Sequence, residues 1–171
     1  WKARLGLSDR PTLLFVGRLV PQKRVADLIR ACANIADRCE VLIVGDGPER
    51  PRLESLAQGI LPGTRFLGHK TGEEKFEILR QARVFLMTSY YESYGIVIVE
   101  ALDSGLPVVA YDLPVYGVFD SGVVKVGILD NEAAKNAILR LLGDHSYYNE
   151  KAQEAQLAAE AHTWESVSEE I

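Results

Sequence analysis

The sequence predicts an α/β protein, a three-layer fold with a parallel sheet, helices on both of its faces and a helical C-terminal tail. Three observations carry this reading. Short apolar runs rich in β-branched residues recur, each closed by Gly or polar turn residues. Segments with helical periodicity alternate with them. Beyond Asp130 only helical patterns remain.

The predicted strands are Thr12–Val16, Glu40–Val44, 64–67, Val84–Met87 and 107–110. Between them, 24–35 places Val25, Leu28, Ile29, Cys32 and Ile35 on one helical stripe. The segment 48–57 opens on Pro48 and continues Glu-Arg-Pro-Arg-Leu-Glu, which suits a first helical turn. Residues 71–81 carry Thr71-x-x-Glu74, a capping-box pattern, ahead of Phe76, Ile78 and Leu79. Gly95 to Leu102 reads Gly-Ile-Val-Ile-Val-Glu-Ala-Leu, and propensity alone makes it a strand. Its neighbours decide otherwise. Two good strands flank it, and parallel partners need a crossover, so 94–104 is predicted as a buried helix ended by Gly105. The tail comprises 131–142, 146–161 and a last segment from Thr163.

With 171 residues and neither repeats nor an interdomain linker, residues 1–171 are expected to form a single domain. Hydrophobic residues at 47% and charged residues at 25% exclude disorder. Against 24 Asp and Glu stand 19 Lys and Arg, a net −5 that argues against a general nucleic-acid binder. Seven of the acids and a single Lys lie from Asp144 onward, so the main body is close to neutral and does not repel an anion. Cys32 and Cys39 lack disulfide-framework or metal-site spacing and suit a reducing compartment. A cytoplasmic location is expected, with the cytoplasmic membrane face left open for the full protein. No apolar run approaches the ~18 residues of a membrane span, and no signal peptide opens the chain. Met87 is the only Met and the chain begins at Trp1, so a piece of something longer is expected.

Ligands of open parallel sheets bind beyond the carboxyl ends of the strands. Three loops there carry the chemistry. After the first strand, Gly17 turns the chain, and Arg18 and Lys23 lie on a short loop entering a helix, where both can meet one anion or stand as solvated cations. After the second, Gly45-Asp46-Gly47-Pro48 brings backbone close to a ligand or forms a plain tight turn, and it lacks the third glycine of a dinucleotide fingerprint. The third, Ser89 to Gly95, leads into the buried helix. Glu92 precedes that helix and Glu100 stands about 9 Å along it. The amides of Gly95, Ile96 and Val97 face whatever sits at its N-terminus. Such an arrangement suits an elongated ligand, with phosphate at the amides and hydroxyl groups beside Glu100. The bland alternative is an exposed Glu100, though its apolar neighbours disfavour a fully solvated carboxylate.

Five motifs in register, Phe15-Val16-Gly17-Arg18-Leu19 through Lys23, Gly45-Asp46-Gly47-Pro48, Phe66-Leu67-Gly68, Glu92 to Ala101 and Gly105 to Ala110, resemble the C-terminal half of a retaining, GT-B-fold glycosyltransferase of group 1 (family four) with its Glu-x7-Glu signature. The resemblance implies a Rossmann-like domain, one half of a GT-B fold, that binds a nucleotide-sugar donor: a UDP-, GDP- or ADP-sugar. It implies that Arg18 and Lys23 neutralise the donor diphosphate and that Glu92 lies near the transferred sugar. Glu100 would hold the ribose hydroxyls, beside Tyr94, while Gly17 and the amides of Gly95, Ile96 and Val97 meet the phosphates and Leu67, Gly68 and His69 meet the base. No metal and no further cofactor are implied, and there is no Asp-x-Asp pair. The acceptor, a glycan, lipid or small molecule, would be met by an N-terminal domain absent from this chain, which alone is expected to be inactive.

Two departures stand out. Residues 111–117 replace the common Gly-Gly with a nearby Glu, and Arg24 replaces the common Gly after Lys23, a change expected to matter less. Trp164 matches an aromatic of the last crossover helix. Two other readings share these residues: a GT-B-type sugar-nucleotide epimerase or phosphorylase domain, and a ligand-free flavodoxin-like regulatory module in which Glu92 and Glu100 are structural.

Overall fold

A computed structural model describes residues 1–119 and 121–162. The predicted helix from Thr163 and the role assigned to Trp164 lie outside the described residues. Six parallel strands form one sheet: β1 (Thr12–Val16), β2 (Glu40–Val44), β3 (Arg65–Phe66), β4 (Val84–Met87), β5 (Val108–Tyr111) and β6 (Val123–Val126). Their order is β3-β2-β1-β4-β5-β6. Every side chain of β1, β2, β4 and β5 is buried, as expected of strands covered on both faces.

Helices α1 (Val25–Ala33), α2 (Arg50–Ile60), α3 (Gly72–Gln81) and α4 (Ile96–Asp103) are the crossovers, and α5 (Asn131–Gly143) and α6 (His145–Ala161) form the tail. Right-handed crossovers place α1 and α2 on one face and α3 and α4 on the other. Helix α5 packs on α1, and α6 packs on α4. The α1 stripe of Val25, Leu28, Ile29, Cys32 and Ile35 is buried as its spacing predicts. Helix α4 confirms the crossover argument over β propensity.

Two expectations change. Residues 123–126 form a sixth strand that was not predicted, pairing from Val108↔Val123 to Tyr111↔Val126. As an edge strand it is only half-buried and contains Lys125, so its apolar signal is weak. The capping box at α3 does not form: Thr71 makes no side-chain cap bond, and Glu74 takes the Lys70 ammonium at 2.7 Å instead. Real side-chain caps open the tail helices, where Asp130 accepts from the Ala133 amide at 2.8 Å and Asp144 from the Tyr147 amide at 2.9 Å.

The side on which successive strands are added switches about β1. The chain runs outward through β2 to β3, then returns to β4 on the other side of β1. Loops leaving β1 and β4 therefore part above the sheet and leave a crevice at its carboxyl edge.

Candidate donor-binding cleft

The floor of the crevice is laced together by backbone. Gly17 N donates to Val44 O and Leu19 N to Asp46 O, both at 2.9 Å, and Glu49 N donates to Leu19 O at 3.0 Å. This close contact explains the Gly-x-Gly after β2. Gly45 has a φ of +134°, and a Cβ there would stand 1.8 Å from the Gly17 carbonyl oxygen; at Gly47 one would stand 2.4 Å from that of Leu19. On the other side, Tyr90 N donates to Gln22 O at 3.2 Å. The Thr88 hydroxyl lies 3.0 Å from the carbonyl oxygens of both Lys23 and Arg24. Arg24 adopts the left-handed conformation, φ 47° and ψ 41°, which costs a non-glycine residue about 1–2 kcal/mol. Its replacement of the common Gly is therefore not neutral, and its side chain is engaged by the buried Asp27.

Above this floor opens a cleft of about 800 Å³. Gly17, Arg18 and Lys23 line it from the β1 loop, His69 from the segment after β3, and Glu92, Tyr94, Gly95, Ile96, Val97 and Glu100 from the β4 loop and α4. Arg18, Lys23 and Glu100 thus share one hollow. Helix α4 begins only at Ile96, behind Gly95 in the left-handed region. Glu100 consequently stands about 6 Å along the axis from the first helical residue, not 9 Å. Ile98 N donates to the Gly95 carbonyl at 2.8 Å, so the amides of Gly95, Ile96 and Val97 lie ahead of the helix's own hydrogen bonds and present partial positive charge at this end of the cleft.

Ion pairs organise its walls. Lys23 Nζ pairs with Glu92 Oε1, and the buried Ser89 hydroxyl donates to that same oxygen at 2.7 Å. Across the cleft, Lys75 Nζ of α3 lies 2.6 Å from Glu100 Oε1. Lys23, Glu92, Lys75 and Glu100 are all less than one-fifth exposed, so these attractions are weakly screened. Arg18 is exposed.

Two predicted residues stand apart. Leu67 lines a neighbouring hollow with Trp1 and Ile78. Gly68 contributes its carbonyl to the floor, accepting from Gly45 N at 2.8 Å. Of the tyrosines near the third loop, Tyr94 lines the cleft, whereas Tyr90 and Tyr91 are exposed. None of residues 111–117 lines it. That segment instead supports α4: Tyr116 is fully buried, with a ring carbon 2.9 Å from where a Gly95 Cβ would be. Both cysteines are buried, and burial pushes their thiols up, Cys39 to about 11, away from the thiolate form. Sequence reasoning missed Lys75, whose partner is 25 residues away, and Ser89, an ordinary loop serine without its contact to Glu92.

The chain as a whole has known relatives. Residues 10–144 match the family described as glycosyl transferases group 1, and the chain is a member of it. It is 37% identical over 117 residues to alpha-D-kanosaminyltransferase of Streptomyces kanamyceticus, a match spanning 66% of this chain and 30% of that protein. To the GDP-mannose-dependent alpha-mannosyltransferase of Mycobacterium tuberculosis it is 41% identical over 111 residues, 65% of this chain and 28% of that one. Among solved structures, sucrose-phosphate synthase from Thermosynechococcus elongatus superposes with a TM-score of 0.87 at 29% identity, over 99% of this chain and 46% of the other. The chain spans less than half the length of each of these relatives.

Proposed function

We propose that the cleft binds the nucleoside diphosphate of a nucleotide sugar, and that it is the donor half of an enzyme performing retaining, metal-independent glycosyl transfer. One observation carries the reading: Arg18, Lys23, the residues of the first α4 amides and Glu100 all line a single hollow. The diphosphate lies at the amides between Arg18 and Lys23, and the pentose hydroxyls reach Glu100. The GDP-mannose dependence of a 41% identical relative supports a nucleotide-sugar donor.

In transfer, the bond from the anomeric carbon to the β-phosphate oxygen breaks and its electron pair stays on the departing diphosphate, while an acceptor hydroxyl oxygen bonds to that carbon and its proton passes to the diphosphate. A cation about 4 Å from that charge contributes roughly 4 kcal/mol at an effective dielectric near 20, before desolvation. Donors already aimed at the leaving group stabilise the transition state more than the ground state. Lys23 must turn from Glu92 toward phosphate to act in this way, which couples diphosphate capture to release of the carboxylate nearest the sugar. Acceptor contacts come from outside this chain, which alone binds nucleotide weakly and transfers little sugar.

Thermal denaturation with UDP, GDP and ADP tests the assignment. A ligand at 100 times its Kd stabilises by about 2.7 kcal/mol. Stabilisation by at least one nucleotide, lost in Arg18→Ala and in Lys23→Ala, is expected. No response to any of the three would point instead to a regulatory module.

A further inference from the structure

We propose that Lys75 is a positioning residue for Glu100 that sets how strongly the cleft prefers a ribonucleotide over its 2′-deoxy form. This rests on the donor-site reading above and extends it to a residue outside the five motifs. Lys75 lies on α3 and Glu100 on α4, adjacent helices that meet at the cleft wall. Their charged groups are 2.6 Å apart, with side chains 19% and 16% exposed, and both residues line the hollow. Arg18 and Lys23 come from the opposite loop, while Lys75 joins Glu100, one helical turn beyond the α4 amides. Lys75 therefore stands at the pentose end of the ligand rather than the phosphate end.

The pairing has a chemical consequence. A half-buried carboxylate without a partner would rotate toward water, and its oxygens would then have no fixed place at the wall. With Oε1 held by the ammonium, the carboxylate is kept at the wall and Oε2 is left for a pentose hydroxyl. Acceptors held in place reject an analogue lacking the matching hydroxyl, because the site is then left with an unpaired polar atom. Freed from Lys75, Glu100 loses that discrimination while the diphosphate contacts survive.

Calorimetric titration of UDP, GDP and ADP, each beside its 2′-deoxy counterpart, reads this directly. The wild type is expected to favour the ribo form. Lys75→Met lowers the ribo-to-deoxy affinity ratio about fivefold, the size of a partly buried ion pair, with little change for the deoxy ligand. Lys75→Arg, which can still reach Glu100, keeps the ratio. An unchanged ratio in Lys75→Met overturns the proposal, as does an equal fall for both ligands, which would make Lys75 a phosphate cation. A rise in ribonucleotide affinity overturns it too, since Lys75 would then compete for Glu100. Absence of binding by the wild type would remove the donor-site reading and this one with it; binding with an intact ratio in Lys75→Met removes this one alone.

Discussion

The ammonium of Lys23 and the carboxylate of Glu92, 69 residues apart in sequence, meet at the wall of the cleft through Glu92 Oε1. One comes from the loop after β1 and the other from the loop after β4. One of the two cations assigned to phosphate is thus engaged by an internal anion.

Removing that anion should help a diphosphate. Glu92→Gln is expected to raise UDP or GDP affinity about threefold to tenfold, since Lys23 no longer has to leave a carboxylate before it meets phosphate. Titration calorimetry of the variant checks this. Unchanged or weaker binding would mean that Lys23 and Glu92 act on the ligand as a pair.

Gly45 offers a test of the floor. A Cβ 1.8 Å from the Gly17 carbonyl oxygen must push two loops apart, at a φ of +134° that L residues rarely adopt. Gly45→Ala should destabilise by about 3 kcal/mol or more, seen as a lower midpoint in urea. Gly63→Ala, with nothing within 4 Å of the added methyl, serves as the surface control.

Tyr116 makes the opposite prediction. Its hydroxyl is buried and has no hydrogen-bond partner among the described residues, and burial pushes its ionisation well up. Leaving a buried hydroxyl unpaired costs about 1–3 kcal/mol. Tyr116→Phe keeps the ring beneath Gly95 and removes the orphan, so thermal stability should be equal or up to about 1 kcal/mol higher. A clear loss would reveal a partner for that hydroxyl.

Acid should loosen the contact between α6 and Gly122, the residue just before β6. Burial opposes the charge on Glu154, but the Lys151 ammonium at 2.8 Å and the Gly122 amide at 3.0 Å outweigh it and hold the carboxyl below its ordinary value. A depressed folded-state pKa gives stability that is present above the unfolded value, near pH 4.5, and is lost as pH falls through the folded one. The side chain is about one-quarter exposed, so the share is under about 1 kcal/mol. Melting temperature against pH should therefore fall less steeply below about pH 5 in Glu154→Gln than in wild type.

Much of the fold was legible because buried parallel strands announce themselves. Thr12–Val16, Glu40–Val44 and Val84–Met87 match their apolar runs residue for residue. Helix α4 needed topology, since its Ile-Val-Ile-Val carries a strand's composition and only the demand for a crossover makes it helical. Edge strand β6 escaped because half its surface is wet and four residues give no clear alternation. At the site, Arg18, Lys23, Glu92 and Glu100 were readable as charged residues near strand ends and their convergence in one hollow is observed. Which charges neutralise which was not readable. The Lys23–Glu92 and Lys75–Glu100 pairs join distant segments, and only the folded backbone brings them within reach.

The backbone lacing beneath the cleft bears on the thermodynamics of capture. Loops tied at Gly17–Val44, Leu19–Asp46, Gly45–Gly68 and Tyr90–Gln22 are fastened before any visitor arrives. Little main-chain freedom is left to surrender on occupancy, and the entropic penalty falls on a few long rotors such as Arg18, Lys23 and Lys75. The amides in those ties should exchange with deuterium as slowly in the vacant protein as in the filled one, while the ends of the lysine side chains fall quiet only when the ligand docks.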